Sequence, residues 1–219
     1  MTTLDKLYDE ALNITTTSHN DDAWPERKIF YEYKPTSYHF LEQLFELLPF
    51  EPKDHLIDFG CGKGRVLFMA AHYSCKNVTG YEIDQERYAI LKKNVENYIE
   101  KFGAETNFNI SKEDAQTIKI DGSANKFFFY SPFHPKIYIK VISNILDSVK
   151  KHKRDISIFL YRPDISIIQY LDKIDSLQKE VCVEQVFSSA GKEKVQIPRF
   201  VLYCNHSINN SIEARSISF

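Results

Sequence analysis

The stretch His55-Leu-Ile-Asp-Phe-Gly-Cys-Gly-Lys-Gly-Arg-Val-Leu67 decides the fold. It begins as a short apolar run that ends in an acid, Asp58, and continues through Gly60, Gly62 and Gly64. A strand, a glycine turn and a helix in direct succession are typical of an open parallel α/β sheet. Glycines adopt backbone conformations that other residues resist, and they let a ligand approach the main chain. The following helix would direct its N–H groups at that ligand.

Strand and helix patterns alternate along the rest of the chain. The predicted strands are 55–59, 77–83, 107–110, 127–130, 156–161, 181–187 and 200–204, and the predicted helices are 37–48, 66–71, 85–101, 135–151 and 165–174. Crossover helices between parallel strands must bury an apolar stripe against the sheet. We therefore predict an α/β fold, with a doubly wound, mostly parallel seven-stranded sheet, helices on both faces and a C-terminal antiparallel hairpin.

Composition predicts one globular domain with polar ends. The chain has 219 residues, of which 43% are hydrophobic and 14% aromatic, enough for a sizeable core. Residues 35–206 would form the domain, residues 1–34 a helical or irregular extension that could act as a substrate lid, and residues 207–219 a flexible tail. The net charge of −2 provides no overall basic field, so it argues against nucleic acid or anionic lipid as partner.

Apolar runs, the N-terminal residues and the cysteines indicate the cellular compartment and whether a metal site is expected. No apolar run approaches the roughly 18 residues of a membrane span, and the N-terminus has no basic start followed by an apolar stretch. The four cysteines are scattered, with no C-x-x-C pair. We therefore predict a cytoplasmic protein with reduced thiols, no membrane contact and no metal site.

Glycine spacing narrows the choice of ligand. A dinucleotide fingerprint, G-x-G-x-x-G, would need glycine at Arg65, and a phosphate loop would need G-x-x-x-x-G-K-[ST]. The observed G-x-G-x-G, with Asp58 two residues before the first glycine, instead resembles motif I of class I S-adenosylmethionine-dependent methyltransferases. The resemblance extends over roughly residues 35–205. It implies a Rossmann-like fold, S-adenosylmethionine as cofactor and methyl transfer as the reaction.

Further positions match that family in order. Glu82 ends the second predicted strand, and Asp114 follows the third, beside a second acid, Glu113. The resemblance implies that Asp58 serves the cofactor's ammonium group, Glu82 its ribose hydroxyls and Asp114 its adenine amino group. The implied cofactor-binding residues are Thr36, Asp58, Gly60, Cys61, Gly62, Gly64, Glu82, Ile83, Asp114, Ala115 and Ser131.

The position of motif IV bears on the methyl acceptor. Enzymes that methylate amide or base nitrogens often carry [N/D]-P-P-[Y/F] there, whereas this chain has Ser131-Pro-Phe133 after Tyr130. A serine hydroxyl is a weaker acceptor for the nitrogen's proton, which argues against base methylation. A module that keeps the fold and binds the cofactor without catalysis stays open as an alternative.

The segment from Tyr31 to Leu48 is similar to another branch, the non-SET protein-lysine methyltransferases. Thr36 matches a threonine that binds the methionine end of the cofactor, and Tyr33 matches an aromatic of the lysine channel. This likeness implies Ser131, Phe133, Tyr130 and Tyr33 as catalytic residues and a protein side chain, such as lysine, as acceptor. A small-molecule acceptor stays open, as do a plain helix cap at Thr36 and core packing for the aromatics. His39 and His134 are candidates for removing a proton.

Overall fold

The computed structural model describes residues 3–17, 33–130, 134–187 and 195–206. The helices are α1 Thr3–Leu12, α2 Tyr38–Leu47, α3 Arg65–His72, α4 Gln85–Phe102, α5 Pro135–Lys151 and α6 Ile165–Leu171. The strands are β1 His55–Phe59, β2 Asn77–Tyr81, β3 Asn107–Ser111, β4 Lys126–Tyr130, β5 Ser157–Tyr161, β6 Gln178–Phe187 and β7 Val195–Cys204. Ser131 and Phe133 lie outside the described residues, as do most of the predicted extension and the tail.

The strands form one seven-stranded sheet in the order β3-β2-β1-β4-β5-β7-β6. Strands β1 to β5 pair in parallel, and β7 lies antiparallel to both β5 and β6. The predicted fold, including the C-terminal hairpin, is confirmed. Strand order reverses between β1 and β4, and ligands of open α/β sheets bind at the carboxyl ends of strands beside such a reversal.

Each face of the sheet carries its own core. Successive strand residues alternate between the faces, so Leu56 packs with residues of α2, α3 and α4, whereas Ile57 packs with residues of α5 and α6. The same alternation sends Phe128 to the first face and Phe127 to the second. Because both faces are covered, the central strands are almost continuously apolar, as parallel sheets require.

The hairpin strands are longer than predicted. Strand β7 begins at Val195, five positions before the predicted start at residue 200, and it contains Pro198. Proline normally argues against a strand because it lacks a backbone N–H. Only Phe200 to Cys204 of β7 pair with β5, so Pro198 lies beyond that ladder and pairs on one side alone, opposite Glu184. Helix α6 is shorter than predicted, because tight turns replace it after Leu171.

Within the described ranges, each helix is either too short or too polar to cross a lipid bilayer.

Candidate active site

Three left-handed glycines shape the turn between β1 and α3. The φ angles are +73° at Gly60, +57° at Gly62 and +92° at Gly64, all values that residues with a Cβ resist. The N–H groups of Gly60 and Cys61 both donate to the carbonyl of Tyr81, at 2.8 and 3.1 Å. The turn is thereby held against the carboxyl end of β2, next to the predicted cofactor residue Glu82.

The predicted cofactor residue Cys61 directs its side chain away from the crevice. A Cβ atom placed on Gly80 of β2 would lie 2.8 Å from the Cys61 Sγ atom, so the thiol packs against that strand. Burial raises the pKa of this thiol well above its ordinary value, with smaller contributions from Asp58 and Glu82. Cys61 is therefore a packed neutral thiol, and only its backbone is available to a ligand.

Asp58 places a buried carboxyl group at the carboxyl end of β1. Its side chain is 4% exposed, and among the described residues it has no hydrogen-bond partner. Burial raises the pKa of Asp58 well above its ordinary value, and the nearby carboxylate of Glu82 raises it further. The ionised form of a buried carboxyl group is costly unless a cation or a hydrogen-bond donor lies beside it. The site thus has a place for a positively charged group beside the glycine turn.

Glu82 reaches back from β2 to the same turn. Its Oε2 atom accepts the N–H of Gly62 at 2.9 Å, and its Oε1 atom accepts the N–H of Asp84 at 2.8 Å. Burial raises the pKa of Glu82, and these two donors partly counteract that rise. A carboxylate has about four lone-pair sites, so two remain for the hydroxyls of a ligand.

The loop after β3 presents Asp114 rather than its neighbour. Asp114 is half-buried, and its carboxylate accepts the backbone N–H of Gln116 at 2.9 Å and the Gln116 side-chain amide at 3.0 and 3.2 Å. Glu113 is exposed and accepts the hydroxyl of Ser111. Ala115 is buried behind this loop. The carboxyl ends of β1, β2 and β3 therefore each present one acid at the same edge.

Thr36 lies at that edge but does not cap the next helix. Ser37 is the N-cap of α2, where its Oγ atom accepts the N–H of Phe40 at 3.5 Å. The alternative in which Thr36 caps the helix is therefore wrong. Thr36 is 3% exposed, its carbonyl accepts an Arg65 N–H at 2.9 Å, and its hydroxyl has no partner among the described residues.

Tyr33 covers the glycine turn. Its ring lies against the Cα of Gly62, where any added Cβ would collide with it. The Lys63 Nζ and Arg87 Cζ atoms lie 4.9 and 5.3 Å from the ring centroid. The hydroxyl donates to the carbonyl of Thr16 at 2.7 Å. These contacts place Tyr33 at the glycine turn. A role for Tyr33 in an acceptor channel stays a prediction.

The segment after α1, residues 14–17, runs along the glycine turn; we call it the N-terminal strap. Buried Asp9 fixes it, because its Oδ2 atom accepts the N–H groups of Thr16 and Thr17 at 2.7 and 2.9 Å. Its Oδ1 atom accepts the hydroxyls of Thr16, at 2.6 Å, and of Tyr38. The described part of the extension is thus fastened to α2 by a buried polar network.

Arg65, the first residue of α3, joins the strap to the turn. Its Nε atom donates to the Thr16 hydroxyl at 2.8 Å, and its Nη1 atom donates to Thr36 and to the carboxylate of Asp5 at 3.0 Å. The guanidinium also lies 4.1 Å from the ring centroid of Tyr38. The residue that breaks the dinucleotide fingerprint is therefore the residue that ties both N-terminal segments to the turn.

Asn94 on α4 is the second link. Its Oδ1 atom accepts the N–H of Thr15 at 2.8 Å, and its amide donates to the carbonyls of Thr15 and Lys63 at 3.0 and 2.9 Å. Asn94 is 2% exposed, and its bond to the Lys63 carbonyl is buried, so that carbonyl depends on the Asn94 amide. The Lys63 Nζ atom in turn donates to the carbonyl of Thr17 at 3.2 Å.

Replacing Asn94 by alanine is expected to lower the free energy of unfolding by about 2–4 kcal/mol, because one buried and two partly buried backbone groups lose their partner. Urea unfolding measures the loss, and hydrogen exchange at Thr15 should accelerate. Asn97→Ala on the same helix is the matched control, since Asn97 serves the strap region through its carbonyl alone. Equal losses in the two variants would contradict the role given to the Asn94 side chain.

The carboxyl ends of β4 and β5 are aromatic. Tyr130 at the end of β4 packs edge-on against Tyr161 at the end of β5, with ring centroids 4.8 Å apart. The ring centroid of Phe40 in α2 lies 4.4 Å from that of Tyr161. We call these three rings the aromatic wall. Ser131 and Phe133, which are predicted to act together with Tyr130, lie outside the described residues. The wall therefore consists of half-buried Tyr130 and of two core aromatics, Tyr161 and Phe40, that sequence reasoning did not select. The alternative of core packing holds for Tyr130, which packs against the hydrophobic core.

The two histidines are peripheral to this wall. His134 is exposed and is the N-cap of α5, where its Nδ1 atom accepts the N–H of Lys136 at 3.4 Å. His39 is exposed on α2.

Comparison with known proteins supports the family resemblance. Residues 30–117 match the family model "Histone methylation protein DOT1". That region is less than half of the chain, and it contains the strand, glycine turn and acids described above. A search of curated protein sequences finds no match.

Solved structures share the fold at low sequence identity. One is a Pyrococcus horikoshii protein assigned as an RNA methyltransferase, with 17% identity, a TM-score of 0.57, and coverage of 95% of this chain and 99% of that one. Another, from Streptococcus mutans, is assigned as a methyltransferase and is in complex with S-adenosylhomocysteine, with 13% identity, a TM-score of 0.53, and coverage of 78% and 99%. A precorrin-6y C5,15-methyltransferase from Geobacter metallireducens shares 12% identity, with a TM-score of 0.55 and coverage of 87% and 98%.

The family match and the shared fold together confirm three predictions made from the sequence. The chain has the class I methyltransferase fold, its enzyme class is S-adenosylmethionine-dependent methyltransferase, and its cofactor is S-adenosylmethionine.

Proposed function

We propose that this protein transfers a methyl group from S-adenosylmethionine to an amine nitrogen of an acceptor bound at the carboxyl ends of β4 and β5. The observation that carries the proposal is the buried carboxyl of Asp58, which has no hydrogen-bond partner among the described residues and lies beside the glycine turn. A carboxylate there suits the cofactor's ammonium group.

The other acids fit the remaining parts of the cofactor. Glu82 would accept the ribose hydroxyls through its two remaining lone-pair sites, and Asp114 would accept the adenine amino group. The Thr36 hydroxyl and the backbone at Gly60, Gly62 and Gly64 would contact the methionine end. Ile83 and Ala115, which follow Glu82 and Asp114, would line the adenine.

The chain's own residues contribute positioning rather than covalent chemistry. S-adenosylmethionine supplies an already activated methyl group when bound. Tyr130 and Tyr33, with Phe133 and Ser131, would hold the acceptor nitrogen in line with that group, and positioning of this kind can account for several kcal/mol of rate acceleration. Burial between aromatic rings also favours the neutral form of an amine, which is the form that attacks.

A protein side chain, such as lysine, is the acceptor that the family match favours, since the matched model is named for histone methylation. The structural neighbour assigned to RNA widens the choice, but the net charge of −2 argues against a long nucleic-acid footprint. A small-molecule acceptor is the second candidate. The observation that favours it is the half-buried ring of Tyr130, which packs edge-on against the buried ring of Tyr161 at the carboxyl ends of β4 and β5.

Two measurements test the proposal in sequence. Calorimetry with S-adenosylhomocysteine tests cofactor binding, and absence of binding at millimolar ligand would refute the whole proposal. Labelled S-adenosylmethionine with a cell extract then tests transfer, and separation by size shows whether the label enters protein or small molecules. Intact cofactor with no transfer to any fraction would favour a non-catalytic binding module instead.

Cofactor binding should depend on pH through Asp58. Its pKa is raised in the free protein and should fall when an ammonium group binds beside it, so binding releases a proton. The affinity for S-adenosylhomocysteine is therefore expected to rise as the pH increases from about 4, and to level off above the raised pKa. Calorimetry over this range measures the slope, which should become smaller in Asp58→Asn.

Stability of the free protein should change in the opposite direction. A carboxyl whose folded pKa is raised holds its proton more tightly when folded, so its contribution to stability decreases as pH rises through the interval between the unfolded and folded pKa values. Exposed Asp147→Asn is the control and should keep both profiles of the parent. An affinity independent of pH in the parent protein would contradict the place given to the ammonium group.

A further inference from the structure

The acid that follows β3 is held by one neighbouring residue, Gln116. Its backbone N–H donates to Oδ1 of Asp114 at 2.9 Å, and its side-chain amide nitrogen lies 3.2 Å from Oδ1 and 3.0 Å from Oδ2. Among the described residues, Glu82 accepts only backbone N–H groups, and Asp58 has no hydrogen-bond partner. Of these three acids, Asp114 is therefore the one whose carboxylate is oriented by another side chain.

These contacts leave one acceptor position open on the Asp114 carboxylate. A carboxylate has about four lone-pair sites. Oδ1 accepts both the backbone N–H and the side-chain amide of Gln116, whereas Oδ2 accepts the amide alone. The open position therefore lies on Oδ2. Because Asp114 is half-buried, a ligand at the edge of the sheet has access to that oxygen.

The backbone of this loop is fixed by other contacts. Asn144 on α5 donates its side-chain amide to the carbonyl of Gln116 at 3.0 Å. The N–H and the hydroxyl of Thr117 both donate to the carbonyl of Asp114, at 2.9 and 3.0 Å. Ala115 is buried between them. The amide of Gln116 therefore determines the direction of the carboxylate, whereas α5 and the turn itself determine the course of the chain.

We propose that Gln116 is a positioning residue, which directs the open Oδ2 position of Asp114 at the amino group of the cofactor's adenine. The inference rests on the proposed function, because it takes Asp114 as the contact of that amino group. An ionised carboxylate only accepts hydrogen bonds, and the amino group is a donor. A purine without the amino group leaves the oriented oxygen unpaired, so the site prefers adenine as long as Asp114 is prevented from turning away.

The probes are S-adenosylhomocysteine and its deamino analogue, in which a hydrogen atom replaces the adenine amino group. Calorimetry with the full chain measures both dissociation constants. The parent protein should bind S-adenosylhomocysteine about tenfold or more tightly than the analogue, as expected for one hydrogen bond to a charged group. Gln116→Met keeps the length of the side chain without its donor. The ratio of the two constants should then fall to about threefold or less, through weaker binding of S-adenosylhomocysteine and unchanged binding of the analogue.

The ratio distinguishes orientation of the carboxylate from support of the loop, because a loosened loop would lose affinity for both ligands by the same factor. Thr117→Val is the matched control. It removes the hydroxyl that bonds to the Asp114 carbonyl and leaves the contacts of the carboxylate in place, so its ratio should equal that of the parent. Gln116→Glu keeps the shape of the side chain but replaces the donor by an acceptor. It should lower the ratio as Gln116→Met does, and it takes the place of that variant if the methionine protein does not fold.

The outcomes separate this inference from the proposed function. A parent protein that binds neither ligand would refute the proposed function, and the inference with it. Equal binding of the two ligands by the parent protein, or the parent's ratio in the Gln116 variants, would overturn the inference alone. A ratio in Thr117→Val as low as that in Gln116→Met would also overturn it, because any change in the loop would then be sufficient.

Discussion

Replacing Glu82 by alanine is expected to weaken binding of S-adenosylhomocysteine about hundredfold or more. Two hydrogen bonds to ribose would be lost, and hydrogen bonds to a charged group each contribute about 1.5–3 kcal/mol. The substitution also removes the acceptor of the Gly62 N–H, so the turn that receives the ligand loses one of its supports. Calorimetry measures the dissociation constant, and Glu86→Ala, which removes an exposed acid of the same size from α4, should leave it unchanged.

A cofactor analogue that lacks a ribose hydroxyl separates the two effects of Glu82. With the parent protein, 2′-deoxy-S-adenosylhomocysteine should bind more weakly than S-adenosylhomocysteine. With Glu82→Ala the two ligands should bind almost equally, because the group that distinguishes them is gone. If the deoxy analogue loses the same factor with both proteins, Glu82 supports the turn without touching the ribose.

The cofactor side of the fold is predictable because its signals are local. The three glycines fix the end of β1 and the start of α3, and the apolar alternation fixes the register of the following strands. Since all these strands are parallel, acids such as Asp58 and Glu82 that end them must share one edge of the sheet. The sequence order of the acids is therefore enough to assemble them.

Contacts made by the strap and the hairpin could not be predicted in this way. Asp9 binds the strap from α1, and Asn94 reaches the glycine turn from α4, and nothing near either residue marks it as a link. The one local signal is Arg65, a charged residue at the start of a buried helix, which needs buried acceptors. The backbone N–H of Arg162 bonds to the carbonyl of Arg199 because β7 runs antiparallel to β5, and that register depends on strand pairing rather than on a motif.

Replacing Gly64 by alanine is expected to lower the free energy of unfolding by about 2–5 kcal/mol. The backbone there has φ of +92°, and forcing a residue with a Cβ into a left-handed conformation costs about 1–2 kcal/mol. The new methyl would lie 2.5 Å from Leu91 Cδ1 and 2.8 Å from Phe68 Cε2. Both side chains are fully buried, so neither can move without disturbing the core, and overpacking of this kind costs about 1–3 kcal/mol.

Gly103→Ala separates the backbone cost from the packing cost. Gly103 ends α4 with φ of +82° and ψ of 175°, a conformation that is essentially confined to glycine, but an added Cβ there meets no atom within 4 Å. Its expected loss is therefore a backbone cost alone, about 1–3 kcal/mol. Urea unfolding measures both variants, and a loss at Gly64 beyond the roughly 1–2 kcal/mol of its left-handed backbone belongs to the contact with Leu91 and Phe68. A loss at Gly64 within that backbone cost would mean that α3 and α4 adjust to the methyl group.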